Sequence, residues 1–155
     1  MSDKPRILYA CKANGGRSVA SRVLTAYYGG EAVEAFSAGS EPGDRVHPEV
    51  SDALTALGLD VSREVPKGFD TTATYDVVVT QGCGDDCPWY RGATYSDWPL
   101  DDPKGQDEAT VRRILADIDG RVRALLGELV PDHDLPPSVF DRAPEAKPGP
   151  PVTSG

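Results

Sequence analysis

Two short runs constrain this chain more than any other feature: Arg6-Ile7-Leu8-Tyr9-Ala10 and Asp76-Val77-Val78-Val79-Thr80. Neither alternates apolar with polar residues, as a strand with one wet face would. Dense apolar runs of this kind are expected of strands buried on both faces of a parallel sheet. Parallel strands need crossover connections, usually helices. The sequence provides them. Val19, Ala20, Val23, Leu24 and Tyr27 fall on one helical face before Gly29-Gly30. A second strand is read at Val33 to Phe36, closed by a loop from Ser37 to Gly43. Pro48 opens a second helix, in which Val50, Ala53, Leu54 and Leu57 repeat before Gly58. A weaker strand is read from Ala93 to Trp98. The last helix carries a long apolar stripe from Val111 through Ile114, Leu115, Ile118, Val122 and Leu126 to Leu129. The expected fold is α/β: a single domain with a mostly parallel four-stranded sheet, helices on both faces and right-handed crossovers.

A chain of 155 residues suffices for one core and is short for two. The expected domain spans residues 1–130. Half of the 14 prolines lie between Pro131 and Gly155, where large apolar residues are few. Residues 131–155 are therefore expected to form a disordered, proline-rich tail. No apolar run approaches the roughly 20 residues of a membrane helix. Met1 to Arg6 leads directly into a strand rather than into a signal-peptide core, so a cytoplasmic location is expected. A net charge of −9 argues against a nucleic-acid partner, which needs a basic face. A small anionic substrate is compatible with that charge given a local positive site.

Such a site is legible after the first strand. Cys11-Lys12-Ala13-Asn14-Gly15-Gly16-Arg17-Ser18 joins a strand end to a helix N-terminus, and open parallel sheets bind ligands there. Backbone N–H groups from Lys12 to Ser18 can point into the loop, where the helix dipole adds positive potential. Gly15 and Gly16 permit close backbone approach to a ligand. Arg17 offers a planar fork for two oxygens of a tetrahedral oxyanion. The same field favours the thiolate of Cys11, and a thiolate facing a bound oxyanion is a placed nucleophile. Ser18 can hold that thiolate by hydrogen bond, and Asn14 can lock the loop. The plainer reading makes Cys11 a small buried hydrophobe at a strand end.

Two further features remain open on chemistry alone. Asp101-Asp102-Pro103 suits a turn before the last helix, and equally a general acid that protonates an oxygen leaving group. Cys83 and Cys87, four residues apart after the third strand, can approach each other and Cys11. They could also form half of a zinc site, completed by Cys11, His47 or His133, or be inert. An odd cysteine count in a reducing compartment does not read as a stapling framework.

Cys-x5-Arg-Ser between a first strand and a first helix resembles the low-molecular-weight tyrosine phosphatases and the arsenate reductases that share their fold. The resemblance runs from Arg6 to about Leu129 and includes Ser37-Ala38-Gly39, Val77 to Thr80 and Asp101-Asp102-Pro103. It implies that Cys11 is the nucleophile, that Arg17 and the loop hold the oxyanion, and that Asp102 is the general acid. The phosphatases follow this proline with aromatic residues, whereas here Lys104-Gly105-Gln106 follows. That departure speaks against a flat aromatic substrate. Thioredoxin-coupled arsenate reductases carry a cysteine pair after the same strand. The resemblance thus implies that Cys83 attacks Cys11 and Cys87 resolves Cys83, with arsenate as substrate and thioredoxin as external reductant. A mycothiol-coupled reductase and a tyrosine phosphatase are the alternatives. Some relatives bind potassium through a glutamate of the first helix. Arg22 stands there, so no metal and no bound cofactor are expected.

Overall fold

A computed structural model describes residues 4–83 and 86–141. Four strands, β1 (Arg6–Cys11), β2 (Glu34–Gly39), β3 (Val77–Thr80) and β4 (Thr94–Asp97), form one sheet in the order β2-β1-β3-β4. Every pairing is parallel. Ile7 to Ala10 of β1 lie between two neighbours and are at most 1% exposed, as their unbroken apolar run requires. β2 runs further than expected, because Ser37-Ala38-Gly39 pairs with Tyr9-Ala10-Cys11 instead of turning away. Its last residue must be small: a Cβ on Gly39 would stand 2.5 Å from the Lys12 carbonyl oxygen. The strand and the loop between β1 and α1 therefore touch backbone to backbone.

Three α-helices follow the expected order: α1 (Arg17–Gly29), α2 (Pro48–Ala56) and α3 (Glu108–Leu129). Pro48 stands in the first turn of α2, where its missing N–H removes no helical bond. The carboxylate of Asp107 caps α3 by accepting from the Thr110 N–H at 2.8 Å. All three helices share one core cluster with Ile7, Tyr9, Val77 and Val79. The other sheet face, carrying Leu8 and Val78, packs against Phe36, Phe69, Tyr75, Tyr90 and Tyr95. Helices were expected on both faces. Among the described residues the second face is instead covered by aromatic side chains, several from irregular segments, which together bury a large apolar area.

Packing also continues past residue 130, where the sequence places the end of the domain. Val139 is 3% exposed and belongs to the main core cluster, with Leu135 and Phe140 packed against it. Ser138 donates to Asp119, and the Val139 N–H donates to the Tyr28 hydroxyl. The described part of the proline-rich segment thus docks on α1 and α3; residues 142–155 lie outside the described residues. No described helix is long and apolar enough to cross a membrane.

Candidate active site

The loop between β1 and α1 is held from inside. Asn14, wholly buried, has φ +51°, a conformation non-glycine residues adopt at a cost unless their side chain is fixed. Here it is fixed at both ends. Its Oδ1 accepts from the Lys67 N–H at 2.9 Å, and its Nδ2 donates to Ser18 Oγ at 2.8 Å. Ser18 Oγ lies 2.9 Å from Cys11 Sγ, and the Asn14 N–H points at the same sulfur from 3.3 Å. Both groups supply hydrogen bonds of the kind that stabilise a thiolate.

Gly16 caps α1 without any side-chain hydrogen bond. No capping side chain therefore competes for the first-turn amides of α1, groups that suit an anion. Arg17 occupies the first position of the helix, with Nη1 3.4 Å from the Leu100 carbonyl and Nη2 3.8 Å from Asp102 Oδ2. Together these groups line an open cavity of about 490 Å³ that also holds Cys11, Lys12 and His47. Lys12, Arg45 and Lys104 offset Glu41, Asp44 and Asp102 around it. A positive centre is therefore built locally into a chain of negative net charge.

Asp102 comes from the loop before α3. Its Oδ1 accepts from the Lys104 N–H at 3.0 Å, which fixes one carboxylate oxygen while the other faces Arg17. The loop is pinned in turn to α2, because the Gly105 N–H donates to Glu49. That bond is the main reason the Glu49 carboxyl titrates below its ordinary range, with smaller help from His47 and Lys104. Asp101 points elsewhere, into an exposed ion pair with Arg113 at 3.5 Å.

The other two cysteines follow β3 at the same end of the sheet. The Gln81 N–H continues the ladder to Ala10 O at 2.7 Å, and Gln81 Nε2 reaches Ser21 of α1 at 2.6 Å. Gly82 follows, then Cys83, whose sulfur lies 3.7 Å from the carbonyl of Ala10, the residue before Cys11. Cys83 and Cys87 are joined as a disulfide with Cα atoms 5.5 Å apart, while Cys11 is free. His133 is not near them; its Nε2 is 3.0 Å from the Tyr28 carbonyl. Among the described residues no group of three or more histidine, cysteine or acidic side chains is placed to hold a metal ion.

Sequence reasoning missed two contributors. His47, considered above only as a zinc ligand, N-caps α2, and its ring lies against Gly15 and Gly16 and lines the cavity. The available signal was its position just beyond the carboxyl end of β2. Gln81, which the sequence did not single out, is fully buried and tied to α1.

Residues 6–84 match the family model described as low molecular weight phosphotyrosine protein phosphatase, and the chain belongs to that family. It is 35% identical over 134 residues to a Halobacterium salinarum protein named provisionally as an arsenate reductase, covering 80% of this chain and 92% of that one. The solved structure of a thioredoxin-dependent arsenate reductase from Corynebacterium glutamicum is similar at 38% identity and a TM-score of 0.73. That match covers 83% of this chain but only 63% of the other. An arsenate reductase from Archaeoglobus fulgidus aligns at 30% identity and a TM-score of 0.68, covering 78% of this chain and 98% of its own.

Proposed function

We propose that the protein reduces arsenate to arsenite with Cys11 as nucleophile and Cys83 and Cys87 as the dithiol that receives its oxidation. Arsenate binds the open amides and Arg17. The Cys11 thiolate attacks arsenic, forming an S–As bond, and Asp102 gives a proton to the departing oxygen, which leaves as water. The Cys83 thiolate then attacks Cys11 Sγ. The S–As electron pair stays on arsenic, which falls from As(V) to As(III), and a Cys11–Cys83 disulfide remains. Cys87 displaces Cys11 as a thiolate, leaving Cys83–Cys87 oxidised. An external dithiol, thioredoxin in this reading, reopens that bond.

The observation that carries the proposal is the Cys83–Cys87 disulfide, anchored beside the backbone of Cys11. That pairing is the one the proposed relay leaves behind. The similarity to arsenate reductases, one of them thioredoxin-dependent, supports the same reading. The test is disulfide mapping by mass spectrometry after the fully reduced chain, freed of reductant, receives one equivalent of arsenate. The native chain should yield Cys83–Cys87 and one arsenite. Cys87→Ser should accumulate Cys11–Cys83, and Cys11→Ser should give no reaction. Multiple turnover by Cys87→Ser with thioredoxin would remove the relay and favour attack by a small thiol such as mycothiol. Efficient aryl-phosphate hydrolysis that ignores Cys83→Ser would favour a phosphatase.

A further inference from the structure

In the long connection from α2 to β3, Glu64 is tied to Arg22 of α1 by an ion pair. Arg22 Nε and Nη2 donate to the two carboxylate oxygens of Glu64 at 3.0 and 2.6 Å, a paired fork, and the Glu64 side chain is only 6% exposed. Three residues on, Lys67 uses its backbone twice. Its carbonyl accepts from the Gly39 N–H at 2.9 Å, and its N–H donates to Asn14 Oδ1 at 2.9 Å.

The second bond has a consequence for proton placement. An amide whose oxygen is taken by Lys67 must present its NH₂ to Ser18. Ser18 Oγ then accepts from Asn14, so its single hydrogen is free to point at Cys11 Sγ. Hydrogen-bond polarity is thereby set in sequence from Lys67 through Asn14 and Ser18 to the sulfur. We propose that Arg22 and Glu64 are positioning residues for Cys11: their ion pair seats the 64–67 segment, which orients the Asn14 amide and so directs the Ser18 hydroxyl proton at the thiolate. The inference rests on Cys11 being the nucleophile but not on the later relay. Its readout is therefore taken before any arsenic chemistry.

The test uses the full chain carrying Cys83→Ser and Cys87→Ser, so that Cys11 is the sole thiol, and measures alkylation by iodoacetamide between pH 5 and 9. All charged groups lining the cavity are retained in every variant. Ser18→Ala should slow alkylation at pH 7 by about tenfold. Glu64→Gln should slow it by a comparable factor. The swap Arg22→Glu with Glu64→Arg should recover most of the rate. In the Ser18→Ala background, Glu64→Gln should add nothing, because the two substitutions break one chain of contacts. Should Glu64→Gln fail to melt cooperatively, Glu64→Asp keeps the charge and should give an intermediate rate. Unchanged alkylation in a variant with lowered thermal stability would make the pair merely structural. An undiminished effect of Glu64→Gln in the Ser18→Ala background would also overturn the proposal. Normal alkylation effects alongside a failed relay would separate this inference from the proposed reduction.

Discussion

Gly82 and Arg17 meet so closely that a Cβ on Gly82 would stand 2.6 Å from Arg17 Nη1. The glycine has φ +102°, which side chains rarely tolerate, and it immediately precedes Cys83. The arginine proposed to bind the oxyanion and the segment proposed to carry away its oxidation therefore share one contact. Gly82→Ala should displace the guanidinium and strain the backbone together. The KM for arsenate should rise by about 10- to 100-fold, since a guanidinium fork works only in register with its oxygens. Steady-state kinetics would show it; a KM within twofold of the native value would mean that Arg17 does not depend on this contact.

The two adjacent aspartates make opposite predictions. Asp102 faces Arg17 and is oriented by the Lys104 N–H, whereas Asp101 pairs with Arg113 on the surface. Asp102→Asn removes the proposed proton donor at little steric cost. It should lower kcat by about 10²- to 10³-fold, the range for loss of a general acid, with a smaller change in KM. Asp101→Asn should leave kcat within about twofold and stability nearly unchanged, because exposed ion pairs contribute little. Comparable losses in both variants would assign the pair to loop structure.

The sequence exposed what depends on neighbours along the chain and hid what depends on distant ones. Cys11 through Ser18 was legible because strand, loop and helix succeed one another within a dozen residues, so periodicity and chemistry could be read together. The helical stripes of α1 and α3 were legible for the same reason, except that Tyr28 and not Tyr27 is the buried tyrosine of α1. The contacts that hold Asn14 were not. Its partner Lys67 is 53 residues away in a segment with no periodic pattern, and nothing local pairs Arg22 with Glu64, 42 residues apart. β2 was read short because Ser37-Ala38-Gly39 has turn composition, whereas alignment beside Tyr9 to Cys11 gives it a ladder partner. Packing beyond residue 130 was hidden by averaging. Seven prolines dominate the composition of residues 131–155 and mask Leu135, Val139 and Phe140.

That segment makes a stability prediction. With Val139 in the core and Leu135 and Phe140 packed on it, deletion of residues 131–155 uncovers apolar surface on α1 and α3. The unfolding free energy should drop by about 3–5 kcal/mol, more than one buried valine supplies and less than full burial of all three side chains. Urea denaturation would measure it. Equal midpoints for the native chain and the 1–130 fragment would mean that the docked segment adds nothing.

Tyr28 sits where that segment, α1 and α3 meet, and it predicts an alkaline response. Its hydroxyl donates to Asp119 and accepts from the Val139 N–H. Burial first, then the bond to Asp119, raise its pKa above the ordinary phenol value. A raised folded value means that the native state keeps its proton where the unfolded chain has lost it. The contribution to stability is therefore complete below about pH 10, the unfolded value, and is lost as pH climbs from there through the folded value. Tyr9, Tyr75 and Tyr90 are raised as well, Tyr90 to about 12, so the native protein should weaken steeply above pH 10. Tyr28→Phe should lower stability at pH 8 by about 1–2 kcal/mol, since Asp119 loses a buried donor. It should also make the decline between pH 10 and 11 shallower, leaving the part due to the other three. Urea titrations at half-unit steps from pH 8 to 11 would test both effects, and a slope unaltered by the substitution would place the alkaline sensitivity elsewhere.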